Sequence, residues 1–485
     1  MKSCENINSY SNNLLNNNLL YKCIIYSLLF FLSRWFFLTD YIFNSDEMVS
    51  YRMLDNFYEY FVKDVHLFFY DYLTVGVFSF FFGKNILFLR ILNIFFSLAT
   101  VFVIGDIICK KISKKLSYVF FIFYLFSPFF LFYSIYTECY TFSLFLISLF
   151  LRYMLILDFK KNKWILFFVI MFAGYTHYFN IIFLFIFCFI YYLLKKITFK
   201  EILFYFISFL PLIFLVFYKY YIGMDNSELF DFNSILLSFY LDKNIFSSIF
   251  YIISGIIIEM KYVVFPVIIY ILFFLYSIYK EKDFYVKTTY LSAFIYSLIV
   301  FIISLYANFK FDAKSFTNDY MVIVSFIFLL PLLKFLSGKN TKYLLFIILC
   351  IFIFQDLNFY YKVKNINSSF DRLKKISHSK KTSFVVHSDA IAERLTDEFV
   401  RVIFKKEPIY FKEDILDFDI IIVPFYFTKD ITYNVDKKIS DEKAVYIEKI
   451  IKHSKIIKEN TKNLYFIEDF FIGTDIYSVF SKREN

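Results

Sequence analysis

The stretch LRILNIFFSLATVFVIGDII, from Leu89 to Ile108, decides the fold class because it is apolar almost throughout. A helical run of about 20 apolar residues is long enough to cross the hydrocarbon core of a bilayer. Basic residues follow it directly, at Lys110, Lys111, Lys114 and Lys115. Similar apolar runs, separated by short basic clusters, continue to about Gln355. The pattern predicts an all-α polytopic membrane protein.

The composition of the 485 residues supports the same prediction. Hydrophobic residues make up 60% of the chain and aromatic residues 25%, and the mean hydropathy is +0.60. A soluble core of this length cannot bury so much apolar surface. Glycine and proline are scarce, at 8 and 6 residues, which excludes collagen-like and linker-rich architectures and favours long helices.

The net charge of +10 does not indicate a nucleic-acid-binding protein. Lysine and arginine lie mainly in short clusters between apolar runs, which is typical of the cytoplasmic loops of membrane proteins rather than of a binding face. The 6 cysteines include no CxxC pair and no set spaced with histidine. Neither a disulfide framework nor a thiolate metal site is therefore predicted.

The basic clusters also predict the topology of the chain. Residues 1–18 form a polar cytoplasmic tail, the first span covers about Leu19 to Leu38, and residues 40–72 form the first external loop. Residues 19–355 make up a transmembrane domain of about eleven helices whose basic clusters lie inside. The segment from Ile245 to Tyr279 could hold one span or two, and one span keeps the lysines that follow it inside.

Two predicted outward connections interrupt the apolar runs of the first half. One is a turn at Ser127 to Glu138, and the other is a hinge near Thr176 to Asn180 between two short spans. Each is bounded on both sides by a run that ends in basic residues, so both connections are expected to share the face of the first external loop.

Residues 356–485 differ from the rest of the chain because charged residues occur throughout them. Short β-type runs at Ser383 to Val386, Ile420 to Val423 and Leu464 to Ile467 alternate with helical patterns such as Asp389 to Ile403. This alternation predicts a small soluble α/β domain on the extracytoplasmic side.

The first external loop holds the strongest candidates for chemistry. Asp46 and Glu47 follow the first span directly in NSDEMVSYRM, and Lys63 and His66 lie further along the loop. Ionisable groups next to apolar spans are costly to desolvate and are functional candidates for that reason. Adjacent carboxylates can act as a general base, hold a divalent cation or bind an acceptor amine. The alternative is a solvated loop with ordinary charges.

Other candidates lie at the remaining outward connections. Glu138 is a lone carboxylate in an otherwise apolar and aromatic turn, which makes it a candidate functional residue. The alternative is that the turn is simply exposed to water. His177 and Tyr178, at the outward hinge, could donate hydrogen bonds to a phosphate or a sugar hydroxyl, or could be ordinary interface residues. Arg90 lies near the start of its span, where a cation must reach the membrane surface or pair with an anion. A lipid phosphate is one such anion, and a carboxylate of the first loop is another.

The order of these features resembles the GT-C superfamily, in the branch that contains protein O-mannosyltransferases and lipid A aminoarabinose transferase. SDEMVSY, with Asp46 and Glu47, is similar to the acidic motif that this branch has in its first external loop. VHLFFYDYL keeps the histidine of the next motif as His66 but lacks both of its prolines. This branch also has an arginine at the start of a span, and Arg90, in the span that begins at LRILN, is similarly placed.

Later motifs follow in the same order. SPFFLFYSIYTECYTFSLFL resembles the family's next turn, with Glu138 at the acidic position, and YTHYF, Tyr175 to Phe179, resembles its hinge motif. NDYMVIVSFIFLLPLL resembles a late segment of the family, with Asp319 in place of the usual arginine. If the usual arginine makes a cationic contact in the family, Lys314 or another group must make that contact here.

The resemblance implies a glycosyltransferase that moves a sugar from a polyprenyl-phosphate donor to a lipid, glycan or protein acceptor. It implies transfer on the extracytoplasmic face of the plasma (inner) membrane, with inversion at the anomeric carbon. On this hypothesis Asp46 takes the acceptor proton and Glu47 or Glu138 positions the acceptor or supports the transition state. Binding of the donor phosphate falls to a set of cations and hydrogen-bond donors: Lys63, His66, Arg90, His177 and Tyr178.

Two other functions were weighed against this one. A flippase or transporter of lipid-linked sugars would need paired half-structures and ionisable groups near the middle of the membrane, whereas the sequence has no internal repeat. A polysaccharide polymerase or ligase would use arginine and histidine in a late external loop, whereas the candidates here come early. Residue types do not decide whether the Asp46–Glu47 pair needs a divalent cation.

Overall fold

The structure of the protein is a computed structural model, described for part of the chain. The described residues are 21–38, 70, 73, 76–77, 79–82, 85–137, 139–157, 160–210, 214, 264–311, 318–336, 338, 342–379, 382–386, 409–410, 420–424, 464–472 and 475–482. The chain divides into two compact units, the first made of residues 1–35 and 56–354 and the second of residues 36–55 and 355–485.

The described part of the first unit is helical. Its helices are α1 (residues 21–35), α2 (Ser79–Phe82), α3 (Ile86–Lys111), α4 (Lys114–Phe126), α5 (Pro128–Ile135), α6 (Cys139–Leu155), α7 (Lys163–Thr176), α8 (Tyr178–Leu193), α9 (Phe199–Phe206), α10 (Val264–Lys280), α11 (Phe284–Phe311) and α12 (Asn318–Leu336). A 3₁₀ turn at Ile207–Phe209 follows α9. The last helix, α13 (Lys342–Ser379), contains the boundary between the two units.

Helix length and composition identify the membrane-crossing candidates among the described residues. Helix α3 and the Tyr343–Asn365 part of α13 are long and apolar enough to cross a bilayer. Helices α4 and α5 are together a third candidate, bent by 63° at their junction. Shorter apolar helices of 10–17 residues account for much of the rest. The total of about eleven spans remains a prediction.

The structure modifies two of the predicted boundaries. The predicted turn at Ser127 to Glu138 contains helix α5, because Pro128 occupies the first helical position, where its missing N–H costs nothing. The predicted end of the last span at Gln355 lies inside α13, which continues to Ser379. No glycine or proline interrupts the sequence there, so nothing local ends the helix.

The predicted basic clusters meet at one end of the first unit, here called the basic end. It brings together the C-terminal ends of α3, α6, α8 and α12 and the N-terminal end of α11. The contacts are Asp106–Arg152 (2.9 Å, Nε to Oδ2), Glu281–Lys334 (3.0 Å, Nζ to Oε2), and the ammonium groups of Lys111 and Lys196 over the rings of Tyr285 (4.5 Å) and Phe284 (5.0 Å). These helices therefore run in the mutual directions that the charge pattern predicts.

Helix α1 presents an apolar stripe to the outside of the first unit. The exposed side chains recur at helical spacing: Tyr21, Ile24, Ile25, Leu28, Leu29, Leu32 and Trp35. Phe30 and Arg34, on the other face, are fully buried. Exposing such a stripe to water is unfavourable, whereas contact with lipid is favourable. The stripe therefore agrees with a membrane environment.

Glycine allows α7 to approach the 3₁₀ turn closely. A Cβ atom added at Gly174 would lie 2.1 Å from Cε1 of Phe209. We expect Gly174→Ala to lower the free energy of unfolding by about 1–3 kcal/mol, because the ring must move out of a packed position. Thermal unfolding in detergent checks this. The double variant Gly174→Ala/Phe209→Leu should regain most of the loss, and a single variant as stable as wild type would contradict the packing.

The described part of the second unit consists of residues 36–38, residues 355–379 of α13 and a five-stranded sheet. The strands are β1 (Thr382–Val386), β2 (Ile409–Tyr410), β3 (Ile420–Pro424), β4 (Leu464–Ile472) and β5 (Asp475–Lys482), in the order β2-β1-β3-β5-β4. Strand β1 is parallel to β2 and β3, whereas β5 is antiparallel to β3 and β4.

The predicted β-type runs lie within β1, β3 and β4. Strands β2 and β5 were missed, although the run from Ile476 to Phe480 in β5 is rich in residues that favour strands. The predicted helical pattern at Asp389 to Ile403 lies outside the described residues. Parallel neighbours such as β1 and β3 need a crossover connection, for which residues 387–419 are long enough.

Candidate active site

Buried polar side chains collect at the end of the first unit opposite the basic end, here called the polar end. Helices break there three times, between α4 and α5, between α5 and α6, and between α7 and α8. All the buried Arg, Asn and His side chains of the described residues lie at this end: Arg34, Arg90, Asn93, His177 and Asn180. Buried hydroxyl residues accompany them: Ser127, Ser134, Thr137, Thr141, Ser143 and Thr176. Such groups are costly inside a membrane protein unless they are hydrogen-bonded, so their concentration at one end marks a candidate site.

His177 forms the break between α7 and α8. Its backbone is extended (φ −158°, ψ 134°), and its Nδ1 accepts a hydrogen bond from the Phe179 N–H at 3.2 Å. An acceptor Nδ1 fixes the neutral ring in the tautomer that carries its proton on Nε2. The ring centroid lies 5.7 Å from that of Tyr140 on α6. The hinge predicted at Thr176 to Asn180 is thus confirmed, and the buried neutral ring of His177 carries its proton on Nε2.

Asn180 stabilises the same break and was missed in the sequence. Its Nδ2 donates to the Ala173 carbonyl at 2.8 Å and to Ser143 Oγ at 3.0 Å, which joins α7, α8 and α6. The Asn180 backbone N–H also donates to the His177 carbonyl at 3.0 Å. A lone amide within the apolar sequence of α8, a few residues after a histidine, was the available signal.

Arg34, near the end of α1, holds the bend between α4 and α5 and was also missed. It donates to the Tyr124 carbonyl at 3.1 Å and the Leu125 carbonyl at 2.8 Å, and its Nε lies 3.3 Å from Ser134 Oγ. The last carbonyls of a helix have no intrahelical donor, and Pro128 has no N–H to offer them. Arg34 supplies the missing donors.

We expect Arg34→Met to lower the free energy of unfolding by about 2–3 kcal/mol, because it leaves buried carbonyls at the bend without their charged donor. Arg34→Lys should lose part of that stability, since an ammonium group cannot reproduce the planar fork of a guanidinium. Thermal unfolding in detergent measures both. Lys22→Met on the exposed face of α1 is the matched control, and an equal effect at both positions would contradict this role of Arg34.

Arg90 lies in the first turns of α3 and is fully buried. Its guanidinium is therefore enclosed by protein, and the anion that was predicted to pair with it stays a prediction. Asn93 follows it after one helical turn on the same buried side. Asn93 Oδ1 accepts a hydrogen bond from Tyr70 Oη at 3.0 Å, and its Nδ2 donates to the Tyr136 carbonyl.

Several of the predicted site residues lie outside the described residues, namely Asp46, Glu47, Lys63, His66 and Glu138. Tyr178 is described as the first residue of α8, but only through its backbone. Thr137 and Cys139, on either side of Glu138, are both buried. The chain that carries Glu138 is thus inside the first unit immediately before and after that residue.

Arg90 and His177 both belong to the polar end, on different sides of the α5–α6 connection. Tyr136 contacts Asn93 through its carbonyl, and its ring lies 6.1 Å from that of Tyr133. Tyr133 lies at the same centroid distance from Tyr140, which neighbours His177. The Asn93 amide and the rings of Tyr136, Tyr133 and Tyr140 therefore form a continuous set of contacts. This set connects the α3 turn of Arg90 with the His177 ring.

No group of three His, Cys, Asp or Glu side chains that could hold a metal ion occurs within the described residues. Asp46 and Glu47, the pair for which a divalent cation was considered, are not among them. Cation binding by that pair therefore stays a prediction.

The fold matches two solved structures over nearly the whole chain. Crystal structures of ArnT from Cupriavidus metallidurans, in the apo state and bound to undecaprenyl phosphate, superpose on this chain with TM-scores of 0.51 and 0.50. In both cases the match covers 96% of this chain and 98% of the other at 10% sequence identity. No protein-family model and no curated protein sequence matches the chain.

The resemblance inferred from the motifs is thus supported at the level of the fold. The particular fold shared over nearly the whole length is that of ArnT. At this identity the likeness defines the architecture and does not distinguish one branch of the superfamily from another.

Proposed function

We infer that the protein is an integral membrane glycosyltransferase that uses a polyprenyl-phosphate-linked sugar. The observation that carries this inference is the ArnT-like fold over 96% of the chain, since one of the matching structures is bound to undecaprenyl phosphate. A fold alone does not define an activity. The inference therefore also rests on the motifs SDEMVSY, SPFFLFYSIYTEC and YTHYF, which occur in the order that the superfamily resemblance requires.

The proposed topology places the reaction on the extracytoplasmic face of the plasma membrane. With about eleven spans and a cytoplasmic N-terminus, the basic end faces the cytoplasm and the polar end faces outward. Residues 19–355 are the proposed catalytic domain and residues 356–485 the proposed extracytoplasmic α/β domain. The basic end supports this orientation because lysines and arginines are enriched on the cytoplasmic side of membrane proteins.

The proposed reaction is an inverting displacement at the anomeric carbon. The acceptor oxygen or nitrogen forms the new bond to that carbon, and the bond to the donor phosphate breaks, so that polyprenyl phosphate leaves with the electron pair. Asp46 takes the proton of the acceptor, and Glu47 or Glu138 positions the acceptor or supports the oxocarbenium-like transition state. The acceptor is a lipid, a glycan or a protein.

The leaving phosphate gains negative charge, so fixed donors and cations lower the barrier. Lys63, His66, Arg90, His177 and Tyr178 are the proposed groups. Two features of the described residues support this assignment: Arg90 is a fully buried cation, and the tautomer of His177 directs an N–H from a buried ring. If a divalent cation takes part, Asp46 and Glu47 are its proposed ligands.

Incubation of the purified protein in nanodiscs with a panel of synthetic polyprenyl-phosphate sugars, together with a cell-envelope extract that supplies lipid, glycan and protein acceptors, tests the proposal. Mass spectrometry should detect free polyprenyl phosphate as the product. Glu138→Gln should slow its formation, whereas Glu281→Gln, the same chemical change at the basic end, should not. Recovery of every donor intact, by protein that remains folded, would rule the proposed function out.

A further inference from the structure

Three stretches of the first unit that carry or border predicted site residues meet at one amide side chain, that of Asn93. Tyr70 lies at the end of the first external loop, downstream of Lys63 and His66. Arg90 lies one turn before Asn93 on α3. Tyr136 lies two positions before Glu138. Asn93 accepts from the Tyr70 hydroxyl at 3.0 Å and donates to the Tyr136 carbonyl.

The chemistry of an amide suits this position. Asn93 offers an acceptor and a donor on one short side chain, so it can accept from one stretch and donate to another at the same time. Tyr70 is 1% exposed, and Asn93 is 0% exposed. A hydrogen bond buried in this way is costly to leave unmade, so the contacts hold the stretches in a defined arrangement.

The Tyr136 carbonyl lies between two helices, and the Asn93 side-chain amide donates a hydrogen bond to it. Helix α5 ends at Ile135 and helix α6 begins at Cys139, so Tyr136 and Thr137 lie in the connection between them. Tyr136 has an extended backbone (φ −81°, ψ 127°), and its carbonyl is outside both helices. The amide of Asn93 thus fixes the backbone immediately before Glu138.

We propose that Asn93 is the positioning residue of the candidate active site, and that it sets the Glu138 segment against the Arg90 turn and the end of the first loop. The inference rests on the proposed function, because it assigns the segment a role in sugar transfer. Asn93 itself touches neither donor nor acceptor in this proposal. It acts by holding the connection that precedes Glu138 against the turn of α3 that carries Arg90.

Steady-state kinetics of variants test the role. Asn93→Leu keeps a similar volume and removes both hydrogen bonds, and we expect it to lower kcat about 100-fold, the effect of a misplacement of about 1 Å. The KM for the donor should stay close to that of wild type, because ground-state binding is left intact. Tyr70→Phe removes one of the two bonds and should produce a smaller decrease.

Ser97→Ala is the matched control. Ser97 lies one turn further along α3, is fully buried and hydrogen-bonds Tyr124 Oη at 3.0 Å, but it does not contact the Tyr136 connection. It should retain wild-type kcat. A decrease in Ser97→Ala as large as that in Asn93→Leu would overturn the proposal, because it would show that any buried bond on α3 has the same effect.

Hydrogen exchange separates a failure of this inference from a failure of the proposed function. Amides of residues 136–141 should exchange faster in Asn93→Leu than in wild type, and Ser97→Ala should leave them unchanged. This result is expected whether or not a donor sugar is transferred. Unchanged exchange and unchanged kcat in Asn93→Leu would overturn the positioning role. Wild-type protein that transfers no sugar would instead overturn the proposed function.

Discussion

Asp46→Asn is expected to reduce the rate of sugar transfer by about 100-fold or more, because an amide cannot take the acceptor proton. The substitution keeps the size of the side chain and removes only its basicity, so binding of the lipid donor should persist. Transfer from a radiolabelled polyprenyl-phosphate donor, at a donor concentration well above KM, measures the change. Donor binding is measured in parallel by competition with undecaprenyl phosphate.

Asp371→Asn is the control for this prediction, since it makes the same chemical change at an exposed position on α13. It should leave transfer unchanged. Asp46→Asn protein with wild-type transfer would remove Asp46 from the role of general base and leave Glu47 or Glu138 as the group to test. Loss of donor binding together with activity would indicate that the carboxylate helps to hold the donor instead.

Substitution of His177 is expected to have the second large effect. His177→Asn keeps an acceptor that can cap α8, because asparagine is a favourable N-cap residue, but it removes the N–H that the ring directs from Nε2. We expect turnover to fall by about 100-fold, as for the loss of one donor to a developing negative charge. His177→Ala should lose the same activity and, in addition, about 1 kcal/mol of stability through the missing cap.

Ser113→Ala isolates the contribution of a helix cap. Ser113 caps α4 at the basic end through an acceptor contact of 3.1 Å with the Leu116 N–H. Its replacement should reduce stability to a similar degree as that of the His177 cap and leave turnover intact. If His177→Asn kept full activity, the ring would be a structural cap alone, and the leaving phosphate would have to be stabilised by other groups.

Local sequence signals predicted the features that depend on local physics. The lysines at the end of α3 and after α8 lie at one end of the first unit, and the helix breaks at His177, as predicted, because helix ends, charge clusters and breaks depend on neighbouring residues. The ArnT-like fold agrees with a resemblance that rested on the order of several weak motifs, each of which had little weight alone. The predicted turn before Glu138 was placed correctly as a break but contained a helix that Pro128 starts.

The residues that organise the polar end could not be predicted in this way. Arg34 bonds to the Tyr124 carbonyl, 90 positions further along the chain, and Asn93 reaches the Tyr136 carbonyl, 43 positions away. Nothing in the neighbouring sequence shows which distant carbonyl a buried donor will meet. Only the packing of α1 and α3 against the α4–α5–α6 segment reveals that these side chains are structural donors rather than stray polar residues.

A single measurement in proteoliposomes tests the central claim most directly. A donor lipid that is radiolabelled in the sugar and fluorescent in the polyprenyl chain is supplied to the purified protein together with a cell-envelope extract that provides acceptors, and both labels are followed. The account predicts that the radiolabel leaves the lipid while the fluorescent chain stays in its leaflet, and that Asp46→Asn prevents the loss of label. Movement of the intact donor across the bilayer, with sugar and lipid still joined, would contradict the account and establish a flippase instead.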